Sequence, residues 1–202
     1  MTEVIIAVDE LDDCLGDFFS ECLQELEIIE KDANCGAKYI KSNQLNEAAI
    51  SFTVPADKAF IFLAYSHGSE TELLKKGTIP YISEKLNIEK FKKTFFYTCS
   101  CKTGKSLGQT LVDNECYCYI GYNEEFTVWD FNRKPFVECA NFGFKLFLEG
   151  NEGGEVINMM KEKYDEAIDN YENDFFGAAH LLSNKNALTL KGDSTHSIAK
   201  MT

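Results

Sequence analysis

Short, continuous apolar runs alternate along this chain with stretches in which apolar residues recur every three or four positions. Residues 4–8 (Val-Ile-Ile-Ala-Val) read as a buried strand, and Leu15, Phe18, Phe19, Cys22, Leu23, Leu26 and Ile29 then mark one face of an amphipathic helix over 15–29. The pattern predicts a second strand over 48–54 and a central strand over 58–65, apolar on both faces. A loop or short strand is expected over 77–81 and a helix over 82–92 with Ser83 as its N-cap. Strands follow at 94–98, 116–122 and 187–190, and helices at 106–113, 136–149 and 156–171, the last two separated by Gly150-Asn151-Glu152-Gly153-Gly154. Strands alternating with helices build a mainly parallel sheet covered on both faces, and sites in such sheets gather at the carboxyl ends of the strands.

Composition narrows this picture. A chain of 202 residues with 45% apolar content holds one α/β domain, taken as residues 1–202. Its 33 acidic against 20 basic residues give a net charge of −13, which opposes direct nucleic-acid binding and is compatible with basic peptide ligands. The N-terminus lacks the pattern of a signal peptide and no apolar run approaches a membrane span, so neither a leader nor a membrane partner is expected. Eight cysteines in such a chain suggest reduced thiols and a cytoplasmic setting.

Two segments carry candidate chemistry. Ser66-His67-Gly68 and Cys99-Ser100-Cys101-Lys102-Thr103-Gly104 each follow directly on a buried-strand pattern. Were the two strands neighbours, about 4.8 Å apart, a histidine and a cysteine would meet at one edge of the sheet. That is the equipment for a thiolate nucleophile and its base. Gly68 and Gly104 permit close backbone approach, and an amide beside Gly68 suits a developing oxyanion.

The order of these motifs resembles the caspase-like cysteine peptidases, within them the bacterial CHAT type. There a strand ends in His-Gly and the next ends in a Cys-x-Thr-Gly-like segment. The resemblance extends through Leu107-Gly108-Gln109-Thr110-Leu111, Cys118-Tyr119-Ile120-Gly121-Tyr122, the helix ending at Gly150 and Lys191-Gly192-Asp193, and departs at Ser194, where proline is frequent. It implies a caspase-like α/β/α sandwich and a cysteine endopeptidase without cofactor or metal. In that register Cys101 is the nucleophile, His67 its base, and the amides of Gly68 and Cys101 hold the oxyanion, while Cys99 is buried. It implies a pocket lined by the end of the first strand and by the strand after the cysteine. Asp9 and Glu124 are the candidate substrate-binding residues there, favouring cleavage after Arg or Lys. Family members often serve bacterial defence under control of a sensor, which here would be a separate protein or an extension of the chain.

Other readings use the same residues. Thr103-Gly104-Lys105-Ser106 mimics the end of a P-loop, but Cys99 stands where that motif needs glycine. Cys99, Cys101, Cys116 and Cys118 form a CxC…CxC set of zinc-ligand type, lacking the turns of a zinc knuckle. An inactive, peptide-binding scaffold remains a third reading, distinguished from an enzyme by the absence of one thiol with a depressed pKa. His180 and His196 read as structural or exposed.

Overall fold

The computed structural model describes residues 2–33, 36–171 and 174–201. Its centre is a six-stranded sheet made of β1 (Glu3–Val8), β2 (Ala37–Lys41), β3 (Phe60–Tyr65), β7 (Thr94–Thr98), β8 (Cys118–Tyr122) and β9 (Leu188–Gly192). Their order in space is β2-β1-β3-β7-β8-β9. Every pair is parallel except β8 with β9. A hairpin-like second sheet, β4 (His67–Gly68), β5 (Glu72–Lys75) and β6 (Ile79–Ser83), rises from the end of β3.

Side-chain alternation along each strand divides the core into two halves. Ile61, Leu63 and Tyr65 of β3 face one side, where they meet Phe18, Phe19 and Cys22 of α1 (Gly16–Asp32), Phe144 of α4 (Lys134–Leu148) and Tyr164 of α5 (Gly153–Asp169). Phe60, Phe62 and Ala64 face the other, against Ile50 of α2 (Glu47–Thr53) and Leu107 and Leu111 of α3 (Leu107–Asp113). The expected α/β architecture with a mainly parallel, doubly covered sheet is therefore what the chain forms. Among the described residues no helix is long and apolar enough to cross a membrane.

Two expectations fail, and one helix was not foreseen. Residues 48–53 are helical, not a strand, and belong to α2, with Val54 as its C-cap. Apparent alternation at Ile50, Phe52 and Val54 misleads because Phe52 is 92% exposed; Ile50 and Val54, one helical turn apart, are the buried pair. Asn46 caps this helix by accepting from the Ala49 amide at 2.9 Å. The strand the sheet needs is instead β2, whose burial is partial because it lies at the edge. Residues 82–92 do not form the predicted helix: Ile82 and Ser83 complete β6, paired with Leu73 and Glu72, and only Ile88–Phe91 forms a 3₁₀ turn. A further helix, α6 (Phe175–Ala187), was not anticipated by the pattern; it exposes Phe175, Phe176 and Leu182, which blur its amphipathic signal.

Candidate functional site

β3 and β7 are direct neighbours, in register at Ala64 opposite Thr98. Both therefore release their chains at the same edge of the sheet, and Cys99 still donates its amide to the Ala64 carbonyl at 3.1 Å. Beyond that point the two segments alternate between inward serines and the residues that follow. Ser66 and Ser100 are buried, their hydroxyls 3.5 Å apart, and Ser66 Oγ lies 2.7 Å from Tyr81 Oη and Ser100 Oγ 2.8 Å from Thr98 Oγ1. This chain of hydroxyls satisfies polar groups that burial would otherwise penalise and fixes both segments from below.

Gly68 brings the segments into contact. A Cβ at this position would stand 2.7 Å from the Cys101 carbonyl oxygen, 2.8 Å from Thr103 Cγ2 and 2.9 Å from Ser100 Cβ. Only glycine tolerates that approach. The cysteine loop is held equally firmly on its other side. Lys102 adopts φ +60° and donates its amide to the Glu124 carbonyl at 3.0 Å, and Gly104 donates to Tyr122 at 2.9 Å. Thr103 Oγ1 lies 2.8 Å from Tyr119 Oη. Among the described residues no backbone carbonyl takes the Cys101 amide.

His67 is held by a residue that sequence reasoning missed. Its Nε2 lies 3.0 Å from Asp12 Oδ1, with the two side chains 25% and 4% exposed. The same Asp12 oxygen accepts the amides of Cys14 at 2.9 Å and Leu15 at 2.8 Å, which anchors the carboxylate in the loop between β1 and α1. Burial alone would raise its pKa, but the Leu15 and Cys14 amides and His67 outweigh it and hold it below 3.8. A carboxylate only accepts, so neutral His67 carries its proton on Nε2 and leaves Nδ1 as the basic atom. Asp12 follows β1, the other neighbour of β3, so the strand-end rule pointed to this loop without choosing among Glu10, Asp12 and Asp13.

The Cys101 thiol is partly buried and donates to the Phe126 carbonyl at 3.7 Å, not to His67. Burial, aided by the Glu125 carboxylate, pushes it above 9.0. The depressed thiol expected of a preformed ion pair is therefore not the resting state of this site. Cys99, as anticipated, is buried, its thiol directed to the Ala140 carbonyl at 3.7 Å and pushed far up by desolvation.

The two acids expected to meet substrate are placed differently. Asp9 is 0% exposed, with Oδ1 accepting from the Ser42 hydroxyl at 2.8 Å and Oδ2 from the Lys76 amide at 2.6 Å. Instead of lining an open pocket it clamps the hairpin tip to the end of β1. Glu124 lies in the open, 62% exposed, beside the cysteine loop and 3.4 Å from Lys105 Nζ.

The competing motifs dissolve in three dimensions. Cys99 and Cys101 follow the carboxyl end of β7, whereas Cys118 pairs with Phe95 near its amino end, about 13 Å away along the strand. Cys116 donates instead to the Thr94 carbonyl at 3.1 Å. Gly104 is packed against Thr189 and Asn123, and the Leu107 and Gly108 amides are taken by the Glu70 and Thr103 carbonyls, so no phosphate cradle is left open there. His180 Nδ1 lies 2.9 Å from Thr127 Oγ1, and His196 is buried against Tyr117.

No known family profile matches the chain, and no curated protein matches it in sequence. Solved structures do. The Arg-specific cysteine proteinase gingipain R superposes with a TM-score of 0.66 at 10% identity, covering 96% of this chain and 47% of that one. The complex of the pro- and mature domains of Porphyromonas gingivalis RgpB gives a TM-score of 0.63 at 10% identity, with the same 96% and 47% coverage. At this identity the likeness is one of fold. The chain spans about half the length of these structures.

Proposed function

We propose that this chain is a cysteine peptidase with Cys101 as nucleophile, His67 as base and Asp12 as the residue that orients the histidine. The observation that carries the reading is the juncture of the β3 and β7 ends, where Gly68 packs on the cysteine loop and His67 is buttressed by a buried carboxylate. The shared fold with an Arg-specific cysteine proteinase supports it.

In the proposed reaction His67 Nδ1 takes the Cys101 proton as sulfur attacks the scissile carbonyl. Charge developing on the carbonyl oxygen is met by the amides of Cys101 and Gly68. The imidazolium, steadied by Asp12, returns its proton to the departing amine, leaving a thioester on Cys101. Water, deprotonated by His67, resolves the thioester to the acid and the free thiol. Because the resting thiol is protonated and directed to the Phe126 carbonyl, activation awaits substrate or a partner that turns Cys101 Sγ to His67 Nδ1; a separate sensor protein fits this need. The exposed Glu124 and Glu125 beside Cys101, paired here with Lys105 and Lys102, favour Arg or Lys at the cleaved position by exchanging those partners for the substrate's cation. Seven free cysteines among the described residues accord with a cytoplasmic setting, and bacterial defence is the pathway we favour.

Probes of acyloxymethyl ketone type, one ending in Arg and one in Asp, test the reading. The Arg probe is expected to label Cys101 alone, and His67→Ala to lose the adduct, as located by peptide mass spectrometry. No labelling with candidate activators present would sink it in favour of a peptide-binding scaffold, the reading that a protonated thiol directed to Phe126 rather than to His67 supports.

Asp12→Asn should lower kcat about 100-fold with KM nearly unchanged. Asparagine can still accept the Leu15 and Cys14 amides, so the loop stays in place while the charge beside His67 is lost. Since Asp12 is held below 3.8, its stabilising contribution is present above that pH and fades as acid protonates it in the folded state. Thermal melts of the Asn variant should accordingly lose part of the wild-type decline below pH 4. Equal kcat in both proteins would remove Asp12 from the mechanism.

A further inference from the structure

The chemistry above divides the site into two sides. A histidine that protonates the departing amine lies against the half of the substrate that follows the cleaved bond. Whatever borders His67 away from Cys101 therefore meets that half. The border is the β5–β6 hairpin: Leu74 pairs with His67, and a Cβ on Gly77 would stand 3.7 Å from His67 Cδ2. Its tip is fixed in space, since the Lys76 amide is clamped to buried Asp9 at 2.6 Å.

That tip carries consecutive cations, Lys75 and Lys76. Neither takes part in an ion pair among the described residues, whereas Lys102 and Lys105 across the site are both paired with glutamates. The carboxylates of Asp9, Glu10 and Asp12, at and after the end of β1, hold hydrogen-bond partners other than these two ammonium groups. Asp9 serves Ser42 and the Lys76 amide, Glu10 serves Ser42, and Asp12 serves His67. On a chain of net charge −13, two ammonium groups outside any ion pair among the described residues stand beside the base, where an acidic side chain can meet them.

We infer that the Lys75–Lys76 tip is a leaving-group-side subsite that selects Asp or Glu in the residues just after the cleaved bond. The inference rests on the peptidase reading and deepens it. Exposed charge pairs are weak, so the expected preference is about fivefold in kcat/KM for each acidic residue, shrinking as salt is raised.

The test uses two fluorogenic peptides identical up to the cleaved residue, which is taken from whichever ketone probe labels. One continues with two acidic residues and the other with two basic ones. Wild type should cleave the acidic peptide faster at low salt, and Lys75→Glu/Lys76→Glu should reverse the order; thermal melting checks that the variant folds, and Lys75→Gln/Lys76→Gln, which should abolish the preference, replaces it otherwise. Equal rates on both peptides, or a preference that survives in the variants, would overturn the subsite. The ketone probe ends at the cleaved residue and does not reach the tip. Labelling of wild-type Cys101 without discrimination between the peptides thus overturns the subsite alone, and absence of labelling overturns the peptidase reading and the subsite with it.

Discussion

On the proposed mechanism Cys101→Ser is expected to abolish probe labelling and to lower peptide cleavage about 10⁴-fold, because removing the nucleophile of a catalytic unit costs nearly everything the unit supplies. Serine has the volume and hydrogen-bonding capacity to keep the Phe126 contact, so the melting temperature should stay within about 2 °C of wild type. The informative companion is Cys99→Ala. Cys99 sits among Tyr97, Tyr122 and Phe144, with its thiol on the Ala140 carbonyl. Truncation there leaves a small cavity and should cost about 1–2 kcal/mol of stability while labelling of Cys101 persists. The two thiols lie two residues apart and ask opposite things of a mutation. Differential scanning calorimetry and mass spectrometry of the same samples separate them. Loss of labelling with Cys99→Ala and retention with Cys101→Ser would mean that the nucleophile was assigned two residues too late.

Much of this arrangement was legible in the sequence because the central strands are buried on both faces. Phe60–Tyr65 and Thr94–Thr98 leave no polar face to confuse the pattern, and the His-Gly and Cys-x-Thr-Gly segments that follow them are where the resemblance places the candidate site. Edge elements carry less of that signal. β2 shows a single fully buried residue, Ile40, and so lacks an apolar run to detect. Helix α2 buries Ile50 alone within its span, and its exposed Phe52 supplies a false strand period. Residues 82–92 mislead for another reason: a turn that caps β6 and a 3₁₀ turn place Ile82, Ile88 and Phe91 inward without any continuous helix.

Partners from distant segments were beyond periodicity altogether. Asp12 meets His67 across 55 residues, and Asp9 meets the Lys76 amide across 67. Nothing local distinguishes these carboxylates from Glu10 or Asp13. The resemblance placed Asp9 in the substrate pocket because it ends the first strand, while the fold uses it to pin a hairpin. A buried carboxylate that finds a hydroxyl and an amide is a structural clamp, and such pairing is decided by the tertiary arrangement.

Gly68→Ala should strike directly at the juncture of the histidine and cysteine segments. The added carbon meets the Cys101 carbonyl oxygen at 2.7 Å, Thr103 Cγ2 at 2.8 Å and Ser100 Cβ at 2.9 Å, all well inside van der Waals contact. None of these can swing aside. One is backbone, and Thr103 is tied through its hydroxyl to the Ser100 carbonyl and near Tyr119 Oη. The strain must move the whole cysteine loop, at a cost of about 2–3 kcal/mol. Displacement of a nucleophile relative to its base by a few tenths of an ångström to 1 Å should also slow Cys101 labelling about 100-fold. Gly77→Ala supplies the contrast. Its φ of +66° makes alanine unfavourable, yet the nearest atom of His67 is 3.7 Å from the new carbon, so about 1 kcal/mol is lost and the cysteine loop stays put. Urea denaturation and labelling kinetics of both variants decide the matter: a Gly68→Ala protein as stable and as reactive as Gly77→Ala would show that His67 and Cys101 are not held together through this glycine.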